Sequence, residues 1–209
     1  KLLADYPAPD GVDLEVGGTV EDQGDAFGDL GTLLILIVIL VYIVMATQFE
    51  SLKFPFIIMF TIPFAFTGVF LALWMTSTPL SLIALIGAIM LVGIVTKNGI
   101  VMVDYMNLLI ERGSGVFDAV IAGGKSRLRP VLMTSFTTIL GMLPLAIGTG
   151  AGSETWQPMG IAVIGGLTFS TILTLFIVPV LYSILVNRSQ RKEREKLARL
   201  SAEHQASKH

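Results

Sequence analysis

The chain has 209 residues, of which 53% are hydrophobic and only 14% charged, with a mean hydropathy of +0.77. That balance excludes an ordinary soluble domain and fits a membrane protein that crosses the bilayer several times. There is no cysteine, which excludes disulfides, thiolate metal sites and thiol catalysis, and the formal charge of −2 is spread very unevenly.

The chain opens in "KLLADYPAPDGVDLEVGG", acidic and rich in Gly and Pro. No basic stretch followed by an apolar core stands there, as a signal peptide would require. The stretch reads as the tail of something larger. After it come five segments long and apolar enough to cross ~30 Å of hydrocarbon, near residues 29–49, 55–75, 82–109, 130–149 and 158–186. The expected fold class is an all-α membrane protein with five transmembrane helices. Residues 1–28 form the end of an external domain, 29–187 the transmembrane domain and 188–209 a charged tail.

Pro55, Pro79, Pro130 and Pro158 lie at or just before expected helix starts, where a missing N–H costs little. Pro63, Pro144 and Pro179 are interior and predict kinks. Gly87, Gly93, Gly99, Gly141, Gly160, Gly165 and Gly166 allow helices to approach closely. Gly93 and Gly99 bracket Lys97, which places that charged face inside a bundle.

Basic residues in short flanks set orientation. Residues 1–28 carry Lys1 against seven acids, and the connections "TSTPLS" and "GTGAGSETWQ" contain no Lys or Arg. The other side has Lys53, Arg112, Lys125, Arg127 and Arg129, then the basic residues after Asn187. The expected topology is an external N-terminus and a cytoplasmic C-terminus. The tail reads as a solvated helix with i,i+4 pairs such as Glu195–Arg199, or as a lipid-headgroup anchor. "GSGVFDAVIAGGKSRLR" predicts a short helix along the cytoplasmic interface.

The candidate chemistry lies in the third span. Lys97 stands roughly 22 Å along its helix, past the midplane and too deep for easy snorkelling. Asn98 follows it. Asp104 is two turns on and on the same face, about 10 Å further along the axis and out of reach of a direct salt bridge. No acid lies at the depth of Lys97 in any span. Either the lysine is neutral, its pKa depressed by burial, or its partner sits on a helix outside this chain; the simpler reading is a lysine that snorkels or is satisfied by backbone. In the second case it is half of an ion-pair switch that converts proton binding into helix movement. Arg127 and Arg129 open the fourth span, where positive-inside anchoring is the simpler role. Thr134 shares a face with Arg127; its hydroxyl can donate to an Asp, accept from Lys97, or bond back to its own helix as Thr137 and Thr138 can. Both histidines fall in the last six residues, leaving no His-based metal or acid–base cluster in the spans.

"TKNGIVMVDY", "RLRPVLMTSFTTILGMLPLAIGTGAGSE" and "VYIVMATQFESLKFPFIIMFTIPFAFTGV" together resemble the resistance-nodulation-cell division (RND) efflux transporters, and most of all their hydrophobe/amphiphile multidrug branch. The resemblance covers nearly all of residues 25–187. It implies that the five spans are the eighth to twelfth helices of a twelve-helix bundle, a C-terminal fragment of the transporter. The implied function is proton-driven multidrug efflux, secondary active transport and not enzymatic catalysis, with no cofactor, metal or nucleic acid. Implied partners are the N-terminal half of the same transporter, a homotrimer, a periplasmic adaptor, an outer-membrane channel and the lipid bilayer. The implied location is a Gram-negative inner membrane, with the N-terminus periplasmic. By the same resemblance Lys97 pairs with two aspartates of the fourth helix, Thr134 belongs to that relay and Arg127 stands near the proton path. Asn98 and Asp104 are secondary candidates. Drug-binding residues are not assigned, because the seven preceding helices, both aspartates and nearly all periplasmic domains lie outside these residues. The alternatives are an RND branch that moves metal ions or lipids or assists protein secretion, and a five-helix membrane assembly module.

Overall fold

The computed structural model describes the backbone of residues 19–148, 150 and 152–206, and the side chains of 22–148, 150 and 152–188. The expected external stretch before Thr19 and the Glu195–Arg199 pair lie outside these described residues. Everything described is helix or short connection: α1 Thr19–Gln48, α2 Lys53–Met59, α3 Thr61–Met75, α4 Leu82–Glu111, α5 Val116–Ile147 and α6 Ser153–Ala206. By length and apolarity, five stretches can cross a membrane, with α2 and α3 together forming one of them. The all-α class with five spanning helices holds.

The helix ends follow local chemistry. α1 begins ten residues earlier than the expected span, and Asp22 and Asp25 in its first turns favour the positive end of the helix dipole. The second span is interrupted at Phe60, three residues before Pro63. A proline has no N–H to bond back and its ring crowds the carbonyl four residues earlier, here that of Met59, so the interruption falls there. α4 starts at Ser81, whose side-chain oxygen accepts from the N–H of Ala84 at 3.2 Å. α5 ends on Gly148, at φ 70° and ψ 49°, a left-handed cap that glycine adopts without strain.

Two expectations are corrected. The separate interfacial helix before Pro130 does not form: residues 116–147 make one continuous α5 that starts well before residue 130, and Pro130 lies inside it. Tertiary packing explains this, since Ala119 and Gly123 are buried, and a Cβ at Gly123 would stand 2.7 Å from Met106 Cγ of α4. Pro144 and Pro179 are interior, as expected, and their helices continue through them. Pro158 is five residues inside α6 and not at its start.

α6 packs against α3, α4 and α5 and organises the bundle. One core joins Ala65, Val69 and Leu73 of α3, Ala84, Ala88, Leu91 and Val95 of α4, and Ile161, Ala162 and Leu167 of α6. A second core, nearer the end that carries Lys53, Arg112 and Arg188, joins Met45, Ile57, Ile58, Met102, Val103, Met106, Val178 and Tyr182. Glycines set the spacing: a Cβ at Gly165 would lie 2.1 Å from Ala72 Cβ, and one at Gly166 would lie 2.1 Å from a methyl of Leu91. In a bilayer, where apolar burial gives little drive for helix association, such close approach is a main source of cohesion.

Candidate functional site

Lys97 is exposed on the surface of α4, along a line with Met90, Gly93, Asp104 and Leu108, all of them exposed. The spacing of three, four and seven residues keeps these positions on one helical face. The glycine argument for a buried lysine therefore fails within these helices. Gly99 turns the other way, against Ile58, and a Cβ at Gly93 would meet nothing within 4 Å. Lys97 lies beside a groove of about 380 Å³ between α4 and the Leu40, Val41, Val44 and Met45 side of α1. It makes no hydrogen bond or ion pair with any described residue.

Asn98 is half-buried. Asp104, exposed, lines a more polar groove of about 320 Å³ with Glu50, Asn107 and Glu111 at the basic end of the bundle. Thr134 is exposed on α5, and its hydroxyl donates to the carbonyls of Pro130 (3.1 Å) and Val131 (3.0 Å). In this arrangement it bonds to its own helix, as Thr137 does with Met133 and Thr138 with Thr134. Arg127 is half-buried, with its guanidinium carbon 4.6 Å from the centre of the Tyr105 ring. No hydrogen bond joins any two of Lys97, Asn98, Asp104, Arg127 and Thr134 among the described residues. Lys97, Asn98 and Asp104 lie on α4 and Arg127 and Thr134 on α5, where Thr134 stands among exposed residues such as Met133 at 70% and Phe136 at 60%.

Several polar contacts were not read from the sequence. The Tyr182 hydroxyl of α6 donates to Asn107 Oδ1 of α4, and the fully buried Tyr182 ring stacks on Phe54 at 5.6 Å. Ser135 and Thr171 share a buried hydrogen bond of 2.9 Å between α5 and α6. A polar residue inside an apolar span was the available signal for each, as it was for Lys97. The Tyr105–Arg127 contact carries no such signal, because it depends on how two helices cross.

Membrane-length apolar helices packed into one bundle, with a lysine and an arginine on two of them, define a segment of an integral membrane protein. The sequence pattern of the AcrB/AcrD/AcrF family matches residues 2–186, and the chain belongs to that family, a group of RND transporters. It is 38% identical over 185 residues to the swarming motility protein SwrC of Bacillus subtilis, covering 88% of this chain and 18% of that one. It is also 38% identical, over the same length, to the cobalt-zinc-cadmium resistance protein CzcA of Cupriavidus metallidurans, covering 88% of this chain and 17% of the relative. Identity reaches 42% over 163 residues with the multidrug resistance protein MdtC of Erwinia tasmaniensis, 78% of this chain and 16% of that one. Among solved structures, a heavy metal efflux pump superposes with a TM-score of 0.74 at 31% identity, over 87% of this chain and 18% of the pump. The chain thus spans less than a fifth of the length of these relatives.

Proposed function

We propose that these helices belong to the transmembrane sector of a proton-driven multidrug efflux pump, a drug/proton antiporter of the inner membrane. The observation that carries this reading is Lys97, a cation in the middle third of a membrane-length helix with no partner among the described residues. Leaving a charge unpaired at that depth is costly. A carboxylate on a helix of the same transporter, outside these residues, meets the exposed Lys97 face of α4 and pairs with it. When that carboxylate takes a proton the pair is lost, and α4 changes its contacts; when the proton leaves, the pair re-forms. Thr134 exchanges its bond to its own helix for one to the same carboxylate or to Lys97. Arg127, always protonated, biases the proton site by its charge, and Asn98 and Asp104 flank the path.

The helix movement drives export by external domains in a homotrimer coupled to a periplasmic adaptor and an outer-membrane channel. In this orientation α1 begins on the periplasmic side and α6 ends in the cytoplasm, which puts Arg112, Arg127 and Arg188 inside. The similarity to MdtC supports drugs as cargo. A second reading, export of divalent metal ions, is favoured by the CzcA relative and by the metal pump structure.

The test is the full-length transporter carrying Lys97→Ala in a sensitised strain, with ethidium and zinc resistance measured side by side. Loss of resistance at normal expression and trimer content is expected. Unchanged resistance would end the ion-pair reading. Loss of zinc resistance with ethidium resistance never present selects the metal branch.

A further inference from the structure

We propose that Tyr105 is the positioning residue for Arg127: its ring, presented from α4, holds the guanidinium of α5 at the crossing of the two helices. The inference rests on the transport reading above and gives a role to a residue that the reading leaves without one.

The geometry begins with Gly123. It is buried, and a Cβ there would lie 2.7 Å from Met106 Cγ, so the α5 backbone comes close to α4 beside Tyr105. Arg127 is one turn further along α5, on the same face. Its side chain therefore starts from a fixed crossing point, and its guanidinium carbon comes to rest 4.6 Å from the Tyr105 ring centre. That is within the range of about 6 Å over which a cation is drawn to an aromatic face. Arg127 Nε is buried, yet it hydrogen-bonds to no described atom. The charged groups nearest in sequence on the two helices are Asp104 and Glu111 of α4 and Lys125 and Arg129 of α5, and all four are exposed. None of them pairs with Arg127 among the described residues.

An arginine is ordinarily oriented by a carboxylate that uses up its donors. Here a ring orients the group from its face and leaves the N–H donors free. The result is a positive charge fixed in place by an uncharged partner, with no carboxylate among the described residues to neutralise it. Replacing the ring frees the side chain to swing toward the headgroups, and the field it exerts on the proton path weakens.

The experiment uses the full-length transporter in proteoliposomes under an imposed pH gradient, with ethidium and Zn²⁺ as probes. Position 105 is occupied in turn by Tyr, Phe, mono-, di- and trifluorinated Phe, and Leu. Fluorination drains the negative face of the ring and barely alters its shape. Transport equal to the parent is expected with Phe, a stepwise fall along the fluorinated series, and roughly a tenfold loss with Leu. Equal transport throughout the fluorinated series overturns the proposal, even if Leu folds poorly. Lys97→Ala is run alongside: parental transport in that variant defeats the ion-pair reading and leaves the fluorine series to decide the clamp. If the parent moves neither probe, the melting temperature of the same series decides. A graded fall that disappears in Arg127→Met supports the clamp, and a flat series refutes it.

Discussion

Gly165→Ala is expected to weaken the crossing of α3 and α6 more than its single methyl suggests. The new Cβ would stand 2.1 Å from Ala72 Cβ and 2.9 Å from the carbonyl oxygen of Gly68. Carbon atoms settle at about 3.5–4.0 Å, so the first contact is short by roughly 1.5 Å. Neither obstacle can rotate away, because one is a Cβ and the other is backbone. The two helices must therefore part. Parting them also loosens Gly68 against Phe169, where a Cβ on the glycine would lie 2.6 Å from that of the phenylalanine, and Gly166 against Val69, where a Cβ would lie 2.8 Å from a methyl. Overpacking of this kind costs about 1–3 kcal/mol, and a clash with backbone belongs at the upper end. Any gain in helix propensity, about 1 kcal/mol for Gly to Ala, is smaller than that. The assay is thermal unfolding of the detergent-solubilised full-length transporter, with Gly124→Ala as control, since a Cβ there meets nothing within 4 Å. Adding Ala72→Gly to Gly165→Ala should recover part of the loss by removing the 2.1 Å contact, leaving that with Gly68. A Gly165→Ala protein as stable as the parent, or no recovery in the double variant, refutes the close-packing argument.

Tyr182→Phe removes the donor to Asn107 while keeping the ring on Phe54, and should lower stability by about 1–2 kcal/mol in the same assay. Ser135→Ala and Thr171→Val should each cost about 0.5–1.5 kcal/mol, whereas the double variant should cost less than their sum, because each single change strands the other hydroxyl. Thr134→Ser should transport normally and Thr134→Val should fall by about tenfold through loss of one hydrogen bond in the working cycle; full resistance in the Val variant removes Thr134 from the relay. Asp104→Asn should leave more transport than Lys97→Ala in a resistance assay, since Asp104 lies nearer the polar end of α4.

The spans were legible because a run of about 20 apolar residues has few structural options. The position of Lys97 along α4 was equally plain. Pro63 announced an irregularity, and the interruption came at Phe60 because the crowding acts on the carbonyl four residues earlier. The joining of the short helix expected in "GSGVFDAVIAGGKSRLR" to the fourth span was not legible, because the contact of Gly123 with Met106 lies across to another helix. Tyr105 escaped for a related reason. Its partner lies on another helix, far along the chain, and what joins them is a missing Cβ at Gly123.

The place of α6 in the bundle bears on how the protein is made. Of the five spans, the last to leave the ribosome is the one against which α3, α4 and α5 all pack. Until it is inserted, Gly68 of α3 and the polar Ser135 of α5 lack the α6 partners they pack against and hydrogen-bond with. Before α6 arrives, the earlier helices have only their contacts with α4 and with their chain neighbours, such as the close crossing of α4 and α5 at Gly123. Slow insertion of α6, or damage to it, therefore exposes the whole segment to quality-control proteases, whereas damage to α1, which only skirts α4 and α2, does so much less.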